Sequence, residues 1–212
     1  MKRLALIGSK AFAEQIQGFA EETGEFRVVG FFDDFETKGA LIRSLPVLGC
    51  IDDIETEYRN GIFDCVFLAA GYNNFIFRED VFNRLYNKVP FATIISPSAR
   101  MGKNVTIGEG VYIGADSYVG DDSVIENNVF IHCYSTVAHN NVIGAHSYIS
   151  GRFNSAGYCC IGKRVFIGIC VIVSDHISIS DDVWIGIGCI VVKSIKEPGK
   201  YMSPSVKLYK IE

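Results

Sequence analysis

Acid–base and nucleophilic chemistry in this chain rests on few residues: four histidines, seven cysteines and some polar strand-end positions. A solvent-facing imidazole titrates near pH 6.5 and can act as a general base at neutral pH. His139 is the histidine whose placement fits that work. The repeat described next puts it on an outer edge, with Gly157 one coil further on, which leaves room for a ligand. A solvated surface histidine is the plain alternative. His132 takes a slot usually filled by glycine, and His146 and His176 fall at another phase, also facing outward. The cysteines (Cys50, Cys65, Cys133, Cys159, Cys160, Cys170 and Cys189) are odd in number, and none forms a C-x-x-C pair. They read as small packing residues in a reducing cytoplasm rather than as nucleophiles, disulfides or metal ligands.

The element that must position His139 announces itself as a period of six, which neither a helix nor a strand requires. Stepping by six from Ile95 to Val191 meets 17 positions, and 16 are aliphatic or Met, Ser155 being the exception. The residue after each anchor is mostly small, as at Gly102, Gly108, Gly114, Gly144 and Gly162, and is expected to turn the corner. The fourth after each anchor is mostly small or β-branched, as at Val105, Ser117, Ser147 and Cys159. One short strand plus one corner accounts for six residues. Three such units close a triangular coil, and coils stacked at about 4.8 Å make a parallel β-solenoid with the anchors as internal ladders. Residues 95–196 hold five to six coils of 18 residues. Residues 18 apart then share a column, and those two after an anchor face outward. One outer column runs Asp121, His139, Gly157, Asp175, Lys193; its neighbour runs Cys133, Gly151, Ile169, Ile187.

Residues 1–94 have a different texture, with strands and helices alternating. "RLALIGS", "FRVVGFFDD" and "DCVFLAAG" read as strands, and "FAEQIQGFAEETG", "IDDIETEYRNG" and "FREDVFNRLYNKV" as helices. That alternation gives a small Rossmann-like βαβ domain, whose ligands gather at the carboxyl ends of its strands. Three such ends carry polar or flexible residues: the turn Gly8-Ser9-Lys10-Ala11-Phe12, the pair Asp33-Asp34, and Gly71. The dinucleotide fingerprint lacks its second and third glycines, which argues against NAD. Asp33 and Asp34 could equally cap a turn. The fold class is therefore α/β followed by an all-β solenoid, with residues 197–212 as a C-terminal tail. A net charge of −4 offers nucleic acid no general attraction. No apolar run reaches the roughly 18 residues of a membrane span. The apolar run of "MKRLALIGSK" is too short for a signal peptide and reads as a first strand.

"YSTVAHNNVIGAHSYISGRFNSAGYCCIGKRVFIGIC", with "VLG" and "IISPSA" before the solenoid, resembles the hexapeptide-repeat sialic-acid O-acetyltransferase and nucleotide-amino-sugar N-acetyltransferase family. The similarity covers nearly the whole chain. It implies a left-handed prism, where general crossover rules favour right-handed, and a homotrimer with acetyl-CoA as co-substrate. By the same resemblance His139 is the general base, with Asn140 where the family carries an acidic residue. Orientation of His139 is then expected from a backbone carbonyl, Asn141 or another subunit. Tyr148, Ile169 and Ile187 match acetyl-CoA contacts; Lys10, Ala11, Phe12, Asp33, Asp34 and Gly71 match substrate contacts. Tyr148 stands where a family histidine is common, and Ser203-Pro204-Ser205-Val206-Lys207 where Gly-x-Pro-Ala-Lys is usual. "AAGYNNFIFRE" is two residues longer than in the shortest relatives, a length that bears on the sugar pocket. The activity implied is N-acetylation of a UDP- or dTDP-linked 4-amino-4,6-dideoxy sugar for a bacterial surface glycan of the O-antigen kind, in the cytoplasm. Sugar O-acetylation and a non-catalytic sugar-nucleotide-binding solenoid are the alternatives. No metal is expected: a solenoid carbonic anhydrase needs three converging imidazoles, and the histidine gaps here (seven, seven and thirty) differ from that family's.

Overall fold

A computed structural model describes residues 1–204; positions 205–212, with most of the Ser203–Lys207 motif and half of the expected tail, lie outside the described residues. The N-terminal region forms a five-stranded sheet. Its strands are β1 (Lys2–Ile7), β2 (Phe26–Phe32), β3 (Leu41–Ile42), β4 (Leu45–Gly49) and β5 (Cys65–Leu68), in the order β3-β4-β2-β1-β5. All neighbours are parallel except the β3–β4 pair. Helix α1 (Ala11–Glu22) buries Ala13, Ile16 and Ala20, a helical 3–4 spacing. Helix α2 (Ile54–Arg59) is short, and α3 (Phe75–Leu85) buries Val81, Phe82 and Leu85.

From Ile94 to Tyr201 the chain is a left-handed parallel β-helix of two- and three-residue strands in three sheets. Strand partners are 18 apart, as in Val124↔Val142 and Phe130↔Tyr148, so the expected triangular coil is the one formed. Anchors from Ile113 to Val191 fill its interior as one apolar cluster. Gly199–Tyr201 adds a last strand to the sheet of Val183–Ile185. Ser155, the exception in the ladder, has a physical partner. Asn141 also points inward, donates to Ser155 Oγ at 2.8 Å and accepts from the Cys159 N–H at 2.6 Å. Phe153, fully buried, occupies the same coil as the small Ser155 anchor.

The corners differ from the expectation. The small residue after each anchor does not turn the chain. Positive φ falls two residues later, at Asn104, Asp122, Asn128, Asn140 and Asp182, and also at Tyr134, His146, Tyr158, Arg164 and His176. Asn and Asp enter that region most readily; the others do so against a steric cost of roughly 1–2 kcal/mol. Where glycine follows the anchor it serves a different purpose, because the next coil presses on it. A Cβ on Gly102 would lie 2.5 Å from the Asp121 nitrogen, and one on Gly144 2.5 Å from a Gly162 backbone carbon.

One face of the prism carries an outward aromatic ladder: Tyr112, Phe130, Tyr148, Phe166 and Trp184, with successive rings 4.3–6.1 Å apart. Against it packs the N-terminal sheet's helix layer, with Phe12 5.2 Å from Phe130 and Phe19 4.9 Å from Tyr112. Arg78 of α3 pins the junction. It is 2% exposed and donates to Ala70 O at 2.6 Å and to the Asn128 backbone and side-chain oxygens at 3.0 Å. Burial pulls its pKa down to about 10, so it stays charged at neutral pH.

Candidate active site

The prism has three corner columns, and they meet different surroundings. His139 and Asn140 stand on the corner between the two faces that the N-terminal region leaves open. Asn140 is itself the orienting partner: its Oδ1 lies 2.9 Å from His139 Nδ1. An amide oxygen only accepts, so Nδ1 donates to it, and Nε2 has no hydrogen-bond partner among the described residues. Asn141, offered above as an orienting group, is committed to the prism interior. Gly157 serves the ring rather than a ligand. A Cβ there would lie 2.7 Å from His139 Cε1 and 2.9 Å from Nε2, so the imidazole lies across the glycine. Tyr158 closes the other side, edge-on at 5.2 Å, and stacks in turn on His176 at 5.0 Å. His139 remains exposed.

His146 faces out from the prism, as read, yet it is 5% exposed because α3 covers its corner. Its Nδ1 meets Asn128 Nδ2 at 2.9 Å, and burial, reinforced by Arg78, Arg164 and Lys163, holds its pKa at about 4. His132 is half-buried beside Phe19, Tyr112 and Phe130, and burial lowers its pKa too. His176 pairs with Asp175 at 3.0 Å and is exposed. Among the described residues no group of three His, Cys, Asp or Glu side chains is placed to hold a metal ion.

The remaining candidates gather in two cavities. A crevice of about 490 Å³ at the carboxyl ends of β1, β2 and β5 is lined by Lys10, Phe12, Asp33, Asp34 and Gly71, but not by Ala11. Ala11 begins α1 and is exposed. Gly8 makes the turn into the crevice possible: its φ is +103°, and a Cβ would sit 3.1 Å from Ala69 O. Asp33, in the crevice wall, ties the turns around it together. It is 6% exposed and accepts from the Ser9 N–H at 3.0 Å, the Ser9 hydroxyl at 2.5 Å and the Phe35 N–H at 3.0 Å. Asp34 accepts from the Ile51 N–H at 2.8 Å and is exposed, which leaves its second oxygen available. Lys10 reaches Glu36 across the mouth, an ion pair that raises its pKa. Ser9, Phe35, Asn74 and Phe77 also line the crevice and had no sequence signal beyond adjacency to the strand ends.

A second cavity, about 510 Å³, runs along another corner of the prism and is lined by Tyr148, Ile169 and Ile187. The two isoleucines are 53% and 72% exposed, which for large apolar side chains marks a surface awaiting cover. Tyr148 is nearly buried within the aromatic ladder, and burial pushes its phenol up to about 12. Tyr72, His132 and Arg152 join this lining unforeseen. The structure thus brings the substrate candidates together and the coenzyme candidates together. It leaves His139 on a corner opposite the face where its own N-terminal region packs.

The fold is shared with solved sugar acetyltransferases, and in fold the resemblance read in the sequence is borne out. Residues 3–85 match the family described as PglD N-terminal domain. The acetyltransferase domain of PglB from Neisseria gonorrhoeae superposes with a TM-score of 0.84 at 24% identity, covering 96% of this chain and 97% of that one. PerB from Caulobacter crescentus, solved with CoA and GDP-perosamine, superposes at 0.85 and 24%, covering 96% and 95%. At such identity the likeness is one of fold. A UDP-3-O-acylglucosamine N-acyltransferase of Herminiimonas arsenicoxydans is 41% identical over 78 residues, 37% of this chain. The chain spans 22% of that relative's length.

Proposed function

We propose that the protein is an acetyl-CoA-dependent N-acetyltransferase acting on a nucleotide-linked 4-amino-4,6-dideoxy sugar, as in surface-glycan synthesis, in the cytoplasm. The observation that carries this reading is an exposed imidazole with Nδ1 tied to Asn140 and Nε2 free. The amine nitrogen attacks the thioester carbonyl, the N–C bond forms and the C–S bond breaks. His139 Nε2 takes the amine proton and returns it to the departing sulfur, giving coenzyme A as the thiol. Direct transfer needs only positioning and a base, so no acyl-enzyme is invoked. The crevice of Lys10, Asp34 and Gly71 holds the nucleotide sugar, and the edge of Ile169 and Ile187 holds the coenzyme. Residues 1–94 then form the substrate domain and 95–196 the transferase domain. Seven free cysteines fit a reducing compartment.

His139 faces away from its own crevice, so the working unit is a homotrimer in which a neighbouring copy presents this corner to the two cavities. PerB, which shares the fold, was solved with a GDP-linked substrate, so GDP joins UDP and dTDP as the nucleotide to test. The deciding experiment mixes the protein with acetyl-CoA and UDP-, dTDP- and GDP-linked amino sugars, with free sialic acid beside them, and follows thiol release. Release with an amino sugar supports the proposal. Release with sialic acid alone makes the protein an O-acetyltransferase, and none with any acceptor makes it a binding module.

A further inference from the structure

The crevice and the prism-edge cavity share a wall, and one loop builds most of it. Ala69, Ala70, Gly71 and Asn74 line the crevice, whereas Tyr72, within the same loop, turns the other way and lines the prism-edge cavity. Its ring lies 5.1 Å from Tyr148 and 4.7 Å from Phe166 on the ladder, and it is 41% exposed. Phe12 completes the partition: it lines the crevice and stands 6.3 Å from Tyr148. If one cavity holds the sugar nucleotide and the other the coenzyme, transfer can occur only where the two meet. The thioester end of the coenzyme must therefore lie against Tyr72, with the acyl methyl facing rigid aromatic rings.

We propose that Tyr72 is the residue that sets acyl size, its ring closing the end of the coenzyme cavity so that an acetyl group fits and longer chains do not. This rests on the assignment of the two cavities above. Tyr148 and Phe166 are fixed in the ladder and cannot recede, so the loop-borne Tyr72 is the adjustable wall. A pocket of this kind discriminates by about tenfold for each methylene it excludes.

The test compares kcat/KM for acetyl-, propionyl- and butyryl-CoA, using the amino-sugar nucleotide that the wild-type protein acetylates fastest. Tyr72→Ala is expected to shift the butyryl-to-acetyl ratio upward by about tenfold or more. Tyr72→Phe, which keeps the ring, is expected to restore the wild-type preference. Binding of the matching nucleoside diphosphate by Tyr72→Ala, measured calorimetrically, checks that the crevice is intact. An unchanged ratio with intact nucleotide binding overturns the proposal, as does an equal loss with all three donors. Failure of the wild-type protein to transfer any acyl group to any amino sugar overturns the functional reading itself.

Discussion

The His139 and His146 corners come from the same repeat, with the same short strands and the same left-handed turn, yet they hold opposite kinds of histidine. His139 is exposed, tied at Nδ1 by its neighbour Asn140. His146 is buried and tied at Nδ1 by Asn128 one coil away, with the ring of Phe82 at 5.5 Å. Around it stand Arg78, a Glu79 oxygen 4.0 Å from Nε2, and Arg164, itself paired with Glu79 and Asp182. One corner leaves its imidazole exposed to solvent; the other buries one between α3 and the prism. A solenoid makes every corner alike, and what docks on it decides which imidazole stays in water and which is buried.

That contrast can be broken most severely at its free end. His139→Ala should lower kcat by about 10²–10⁴-fold, the usual worth of a positioned base, while coenzyme and nucleotide binding and the melting temperature stay close to wild type. Near-normal turnover would remove His139 from the mechanism. Gly157→Ala should come next, because the new Cβ drives into Cε1 and Nε2 of the ring. A misplaced base of this kind costs on the order of 10²-fold in kcat, and a melting curve that hardly moves would separate the effect from unfolding.

The buried corner is probed through pH. The unfolded chain protonates His146 near 6.5, but the folded protein resists until about 4. The folded state therefore binds fewer protons in that window. Its stability is complete above pH 6.5 and is lost as pH falls to 4 and below, by about 3 kcal/mol in all. His146→Asn, which suits the left-handed corner, should flatten the acid limb of a stability–pH curve. An identical limb in the variant would show that the buried imidazole does not couple folding to protons. The mildest change is Asn140→Asp, which gives the free imidazole an anionic partner. The acid limb of the kcat/KM–pH profile should move up by about one unit, and an unmoved profile would show that this side chain does not govern the base.

Much of this was legible in order. The period of six placed the strands of the prism up to Val191, because a repeat that stacks on itself needs no distant partner to define it; it missed Gly199–Tyr201, read as tail, which adds a strand to the prism. Column counting put His139, Ile169 and Ile187 on outer edges, where they are. The same counting could not see that α3 would cover His146, since a docked helix leaves no trace in the repeat it covers. It also mistook the role of the post-anchor glycines: spacing shows that a position must be small, not whether curvature or a pressing neighbour makes it so. Ser155 looked like a flaw until Asn141 and Phe153 were found sharing its interior. Tyr72 lay in a stretch read only for its length, because a loop residue's turn toward one of two cavities leaves no mark in the sequence.

Local chemistry and periodicity determined the architecture here: alternating strands and helices, then a ladder of aliphatic side chains that can be buried only by coiling every 18 residues. Tertiary packing decided the rest. The aromatic ladder draws the N-terminal region onto one face, and that choice alone buries one imidazole, leaves another in water, and brings two cavities to a common wall. Burial is a property of what lies across a contact, and a chain read residue by residue does not say which of its surfaces will meet.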